Sequence, residues 1–308
     1  MDMKKHITTV TLNPCIDRTI TIEDFKIGAT NYVIESREEV AGKGINVALA
    51  LQHLEVPVKS IGFGFISDYD KMISLFRKEQ LSYELIKTMG TLRVNLKVFS
   101  KKTKQMTECN EKGYLTEQTD LARFYQLLEE ELLYTRILVV DGSVPEHVKD
   151  DCYAKMIRMA SDHNIPTILD ASGALLLNGI KENPFLIKPN KDEFIKTFAC
   201  EEKDIEKKAV ELVKNGIAYV CISLGEKGAM LVSKNGIQKM PAIKVPVCGL
   251  QGAGDAMVAG ICKALWDKKE QMILPYALVS AASSVMLEGT QMGTLDTFQT
   301  LLNQIMNP

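Results

Sequence analysis

Gly252, Ala253, Gly254 and Asp255 run directly into an apolar stretch over 256–266. Glycine is a poor helix former, so two of them at a helix entry mark backbone that must approach something closely. The first N–H groups of a helix lack intrahelical partners, and together with the helix dipole they attract anions. An aspartate in the same turn sets a carboxylate beside that anion site. The combination suits phosphoryl transfer: amides hold the moving phosphate, and the carboxylate takes the proton of an attacking hydroxyl. A plain loop-to-helix junction, with Asp255 as a favourable N-terminal charge, accounts for the same four residues.

Other stretches could complete such a site. Gly42, Lys43, Gly44 and Asn46 open a helix; the glycines permit close approach, Lys43 adds positive charge, and Asn46 can hydrogen-bond sugar hydroxyls. The pattern is not a Walker A loop, and a tight strand-to-helix connection is its structural alternative. Asp17 closes a Thr-Leu-Asn-Pro-Cys-Ile-Asp run after the first strand, where α/β folds place ligands. It can accept from sugar hydroxyls or simply serve a turn. The guanidinium fork of Arg93 matches phosphate, although a surface arginine on an edge strand looks the same. Lys188 and Asn190 stand between a strand and a helix. Asn190 and Glu193, three residues apart, share a face that could hold hydrated Mg²⁺ through water, or form a capping box. Ser223, Gly225 and Gly228 belong either to a glycine-rich nucleotide loop or to a hairpin turn. Gly62 and Gly64 begin a dinucleotide-binding fingerprint, but Ser67 stands where its third glycine belongs and Glu84 falls inside a strand-like run.

These residues need a scaffold, and the apolar pattern supplies one. Strand-like runs at 7–11, 58–63, 137–140, 167–169, 185–187 and 218–223 alternate with helical stretches at 45–54, 67–79, 146–163 and 203–215. Repetition of strand, helix and strand implies a mainly parallel sheet with helices on both faces. Residues 256–287 read as helical with a break near 272–275, and a last helix covers 295–305. Two stretches depart from the rhythm: 18–22 with 32–39, and a hairpin of 94–100 with 105–110. Four strands without helices make a small sheet that cannot bury both faces alone, so it should cover a cleft, pair with another copy of itself, or both. The expected organisation is one α/β domain over 1–308, with a discontinuous β lid at about 16–40 and 91–110.

Composition narrows the function classes. The 308 residues are 46% hydrophobic and 25% charged, as in ordinary globular proteins, and the formal net charge of -2 gives no electrostatic case for nucleic acid or an anionic membrane. Nothing is long and apolar enough to span a bilayer, and the charged N-terminus is not a signal peptide. Seven scattered cysteines without C-x-x-C fit reduced cytoplasmic thiols. The four histidines, 6, 53, 147 and 163, have no metal-ligand spacing to one another. The 14 methionines fit core filler.

In this order, the stretches resemble the ribokinase-like sugar kinases, specifically the phosphofructokinase branch that includes tagatose-6-phosphate kinase and 1-phosphofructokinase. The resemblance covers nearly the whole chain and rests on T-L-N-P-x-x-D at 11–17, A-G-K-G-I-N at 41–46 and G-A-G-D at 252–255. It implies a three-layer α/β/α domain with a small β lid that often clasps a dimer, ATP as donor, Mg²⁺ as cofactor and a sugar monophosphate as acceptor. By resemblance, Asp255 is the catalytic base, and Gly252, Ala253 and Gly254 form the anion hole. Asp17, Gly42, Lys43, Asn46, Arg93 and Ser143 meet the acceptor. Lys188, Asn190 and Glu193 lie near the Mg·ATP phosphates, and Ser223, Gly225 and Gly228 form the nucleotide loop. Three departures stand out: Gly249, Leu250 and Gln251 replace the residues before the anion hole, Asp141 replaces a small polar residue, and Leu92 replaces threonine. The implied reaction converts fructose 1-phosphate to fructose 1,6-bisphosphate, with tagatose 6-phosphate and fructose 6-phosphate as alternative acceptors. A sugar-phosphate or nucleotide sensor that has lost efficient catalysis is the competing class, and an NAD oxidoreductase a third.

Overall fold

The computed structural model describes residues 5–114, 117–289 and 291–306; the first four residues of the charged N-terminus lie outside them. In chain order the strands are β1 (His6–Thr11), β2 (Cys15–Ile22), β3 (Glu35–Ala41), β4 (Val58–Phe65), β5 (Ser82–Thr88), β6 (Arg93–Ser100), β7 (Gln105–Asn110), β8 (Thr135–Asp141), β9 (Thr167–Asp170), β10 (Leu186–Ile187), β11 (Tyr219–Ser223), β12 (Ala229–Ser233) and β13 (Gly236–Met240). The helices are α1 (Lys43–His53), α2 (Tyr69–Lys78), α3 (Gln118–Leu132), α4 (Cys152–Asp162), α5 (Gly173–Gly179), α6 (Lys191–Phe198), α7 (Ile205–Lys214), α8 (Ala253–Trp266), α9 (Ile273–Val285) and α10 (Leu295–Met306).

Nine strands form the main sheet in the order β13-β12-β11-β10-β9-β8-β1-β4-β5. Pairing is parallel from β5 to β11 and antiparallel for the β11–β12–β13 edge. Strand β8 shows why helices must cover both faces. Its Ile137 and Val139 belong to one buried cluster with Val47 of α1, Val258 of α8 and Val279 of α9. Its Leu138 and Val140 belong to another with Phe124 of α3 and Tyr153 of α4. A strand apolar on both sides is stable only in the middle of three layers.

The parallel strands all end along one edge. Thr11, Asp141 and Asp170 close β1, β8 and β9, and Lys188 directly follows β10. Ligands of open α/β sheets bind at this carboxyl edge. The second sheet, ordered β3-β2-β6-β7, stands over the same edge because β2 and β3 lie in the chain between β1 and α1. Its β2–β6 pairing is parallel and its two outer pairings are antiparallel.

Several boundaries differ from those expected. The stretch 146–163 becomes helical only from Cys152, because His147 takes a left-handed φ of 67° that interrupts any helix before it. The break between α8 and α9 falls at 267–272, ahead of the expected 272–275, with Lys268 at φ 58°. Helix α3, on a stretch without an assignment, buries Leu121, Phe124, Leu127, Leu128 and Leu132 along one face.

Candidate active site

Asp255 sits in the first turn of α8, buried at 6% exposure. The helix entry depends on Gly252, whose φ of 71° favours glycine and lets the chain turn into Ala253 without strain. The Asn46 amide donates to Asp255 Oδ2 at 2.7 Å. Asn46 reaches that far because Gly44 lays the start of α1 against β1: a Cβ on Gly44 would stand 2.3 Å from the Val10 carbonyl oxygen. Two glycine-bearing helix starts are thereby brought face to face. Burial pushes the Asp255 carboxyl up to about 6; Lys43 and the Asn46 hydrogen bond oppose that rise, and Asp170 adds to it. A carboxylate tuned to that range suits a general base working near neutrality.

Beneath Asp255 lies a floor of buried charge. Ligand-capable oxygens of Asp141, Asp170 and Asp255 lie within 4.8 Å of one another. Register places the first two side by side, since Asp141 of β8 pairs with Asp170 of β9. Lys188 Nζ stands 2.9 Å from Asp170 Oδ2, and Lys43 Nζ stands 3.5 Å from Asp170 Oδ1 and 3.8 Å from Asp141 Oδ1. Burial raises the carboxyl of Asp170, but Lys188 and Lys43 outweigh it and hold Asp170 below the usual range. Asp141 goes the other way: burial and then the neighbouring Asp170 raise it well above its ordinary value. Burial works against the charge of Lys188, and Asp170 overcomes it. Three carboxylates against two ammonium groups leave the floor acidic unless one site holds a proton, and Asp141 is the group so placed.

A cavity of about 230 Å³ opens above this floor, lined by residues including Thr11, Asn13, Lys43, Arg93, Asp141 and Ser143. It falls below the roughly 300–1,000 Å³ of drug-sized ligand pockets and suits one small polar molecule. Neutral oxygens hold Arg93: its Nε donates to the Asn13 carbonyl at 3.2 Å and its Nη1 to Asn95 Oδ1 at 2.7 Å. Ser143 Oγ accepts from Asn13 Nδ2 at 3.1 Å. Gly42 caps α1, and Gly254 places its Cα hydrogens toward Lys188 Nζ, 3.6 Å from where a Cβ would stand. Asp17 is outside the cavity lining. It lies on the small sheet, 7% exposed, accepting from Asn95 Nδ2 at 2.9 Å and Lys97 Nζ at 2.6 Å.

The remaining expected residues fall at the same edge of the sheet. Asn190 and Glu193 make a complete capping box for α6: Asn190 Oδ1 accepts from the Glu193 N–H, and Glu193 Oε2 accepts from the Asn190 N–H, both at 2.8 Å. The box spends Asn190 Oδ1 and one Glu193 oxygen, and Glu193 also lines the cavity. Its other oxygen fits a water ligand of Mg²⁺, whereas the Asp170 carboxylate is already engaged by Lys188 and Lys43. Ser223 ends β11 and bridges to Asn190; Gly225 and Gly228 form the turn of the β11–β12 hairpin. Hairpin and edge position are thus combined in one loop. Gly62 and Gly64 lie inside β4 and Glu84 pairs with Lys59 at 2.8 Å, so the dinucleotide fingerprint has no loop to occupy.

Asp170 and Lys97 were not expected at the site. Each carried a signal: Asp170 ends a short apolar strand at the ligand edge, and Lys97 follows Arg93 and Asn95 at alternate positions of one strand.

The model of the pfkB family carbohydrate kinases matches residues 10–297. A 1-phosphofructokinase of Bacillus subtilis (strain 168) is 30% identical over 304 residues, covering 97% of this chain and 98% of that protein. A tagatose-6-phosphate kinase of Staphylococcus epidermidis is 28% identical, covering 97% and 98%. The crystal structure of Escherichia coli phosphofructokinase-2 in complex with fructose-6-phosphate superposes with a TM-score of 0.88 at 23% identity, covering 99% of this chain and 100% of that one. Among the described residues no helix is long and apolar enough to cross a membrane.

Proposed function

Because the chain belongs to the pfkB family of carbohydrate kinases and is an ATP-dependent sugar-phosphate kinase, we propose that it phosphorylates fructose 1-phosphate to fructose 1,6-bisphosphate, with Asp255 as the base. The buried Asp255, fixed by Asn46 beside the open N-terminus of α8, is the observation that carries the reading. The B. subtilis relative supports this choice of acceptor; tagatose 6-phosphate and fructose 6-phosphate are the alternatives.

In this mechanism the acceptor occupies the cavity with its phosphate toward Arg93, whose fork matches phosphate oxygens. Its free hydroxyl points to Asp255, which orients it and takes its proton as the new P–O bond forms. The Ala253 N–H donates to the Leu250 carbonyl at 3.4 Å, so the N–H groups of Gly254 and Asp255 face the transferring phosphoryl group, where accumulating negative charge meets the positive end of α8. Lys43 and Lys188 keep the carboxylate-rich floor from repelling that charge. Mg²⁺, when bound, neutralises charge on the nucleotide phosphates, and Glu193 through water, with Asn190 in the same capping box, would hold it. The β11–β12 hairpin with Ser223, Gly225 and Gly228 borders the nucleotide side.

The small sheet serves as the lid that excludes water from the reaction. Its outer strand β7 is exposed along its whole length, and Ile27, Tyr32, Val33 and Ile34, in the connection between β2 and β3, are also exposed. Such a surface suits pairing with a second copy. The free thiols of all seven cysteines fit a cytoplasmic protein.

The test is ADP release with Mg·ATP and each of the three ketohexose phosphates, with Asp255→Asn as control. Preference for fructose 1-phosphate that disappears in Asp255→Asn is the expected result. Preference for another acceptor would replace the substrate, and turnover by Asp255→Asn close to that of the unmodified protein would remove the base.

A further inference from the structure

Arg93, Asn95 and Lys97 alternate along β6 and therefore face the same side of the small sheet. They lie in parallel register beside Cys15, Asp17 and Thr19 of β2. The side chains form a continuous chain: Arg93 Nη1 donates to Asn95 Oδ1 at 2.7 Å, Asn95 Nδ2 donates to Asp17 Oδ1 at 2.9 Å, and Lys97 Nζ donates to Asp17 Oδ2 at 2.6 Å. Arg93, at one end, reaches the cavity. Lys97, at the other, is 6% exposed.

The Lys97–Asp17 pair is expensive for a sheet of four strands. Removing two opposite charges from water costs about as much as their attraction returns, and an apolar pair of similar volume is often equally stable or better. Folding alone therefore gives no reason to keep it. Geometry supplies one. Both Asp17 oxygens are tied to β6, so the carboxylate cannot rotate. Each oxygen can accept twice, so Oδ2, with Lys97 as its one bonded donor, keeps an acceptor position open. Asp17 and Arg93 belong to the small sheet, whereas Asp255, Asn46 and Lys43 belong to the main body. The residues assigned to recognition and those assigned to chemistry thus stand on different parts of the molecule.

We propose that Lys97 is a positioning residue for acceptor recognition: through Asp17 and Asn95 it locks the hydroxyl-accepting carboxylate and the phosphate-binding Arg93 into one rigid strip, which reads the sugar phosphate as a unit before the lid closes. The inference rests on the roles proposed above for Asp17 and Arg93. A rigid acceptor discriminates strongly, since a sugar lacking the matching hydroxyl leaves a buried charged group without its partner. A carboxylate free to swing loses that discrimination.

The experiment compares Lys97→Met, which keeps the apolar stem and removes the ammonium group, with Lys97→Arg, Asp17→Asn and the Lys97→Met/Asp17→Asn double variant. Steady-state constants are measured for the preferred ketohexose phosphate, for its monodeoxy analogues and for ATP. Melting curves check folding, and Lys97→Gln replaces the methionine variant if that does not fold. Lys97→Met is expected to raise KM for the sugar phosphate about 10- to 100-fold with kcat and the KM for ATP within about threefold, the pattern of lost ground-state recognition. Discrimination against one deoxy analogue falls, Lys97→Arg restores most of it, and the double variant is little worse than Asp17→Asn. An Asp17→Asn variant with unaltered KM overturns the role of Asp17 and the inference with it. If Asp17→Asn raises KM but Lys97→Met does not, the role of Asp17 stands and that of Lys97 falls. Equal losses in kcat and both KM values, or additive effects in the double variant, would mark a merely structural pair and overturn the inference.

Discussion

Asn46 Nδ2 and Asp255 Oδ2 meet at 2.7 Å although 209 residues separate them in the chain. The bond fixes which way the carboxylate points and favours its ionised form. It joins the first turn of α1 to the first turn of α8, so the amide that orients the carboxylate proposed as the base comes from one helix start and the carboxylate itself from the other.

The pH dependence of turnover follows from this pair. Asp255 must be ionised to accept a proton, and its carboxyl is raised to about 6. The acid limb of kcat against pH is therefore expected near 6, with activity lost as pH falls through it. Asn46→Ala removes a bond that lowers the Asp255 value, so the limb moves to higher pH and kcat at neutral pH falls about 10-fold or more. A limb that stays in place in Asn46→Ala would separate it from Asp255.

Asp255 also costs stability. Its folded value lies above its unfolded one, so the folded protein binds the proton more tightly. Ionisation of Asp255 therefore contributes no stability at neutral pH and weakens the fold as pH rises from about 4 to about 6. Asp255→Asn is expected to melt higher than the unmodified protein at pH 8, by a margin on the order of 1–3 kcal/mol, and to lose that advantage at pH 4. Thermal melts at the two pH values, beside a loss of kcat of about 10²-fold or more, test the trade.

Lys188 illustrates the opposite case. It is buried at 3% exposure and lies 2.9 Å from Asp170, itself 1% exposed. Lys188→Met leaves Asp170 to Lys43 alone, and removal of one partner of a buried pair typically costs about 3–5 kcal/mol. Denaturant titration should show that loss. The combined Lys188→Met/Asp170→Leu variant should recover a large part of it, since no charge is then left without a partner.

Arg93 borders the cavity and donates to neutral oxygens of Asn13, Asn95 and Glu111. Arg93→Ala is expected to raise KM for the sugar phosphate about 10- to 100-fold and to leave the KM for ATP nearly unchanged. Equal effects on both would move Arg93 out of the acceptor phosphate site.

Much of this molecule is local in origin and therefore legible in one dimension. Short β-branched runs alternating with amphipathic stretches determine a parallel sheet between helix layers, because each run must bury its own faces. Gly252 with Asp255, and Gly44 with Asn46, mark helix starts whose backbone must approach a ligand or another strand. The Asn190–Glu193 capping box is likewise written in its three-residue spacing, and its hydrogen bonds are present. Asp17 and Arg93 could be singled out by residue type, but not the bond chain that links them, because parallel register between β2 and β6 is a relation between distant segments. The acidic floor is still less local. Asp141 in the sequence is a lone departure and Asp170 only the end of a strand; they become one charged group when β8 and β9 pair. Burial then sets their proton affinities apart. Residue type and spacing thus determined the fold and which groups could do chemistry, whereas strand register and loss of water, which exist only in the folded chain, decided their partners and their charge.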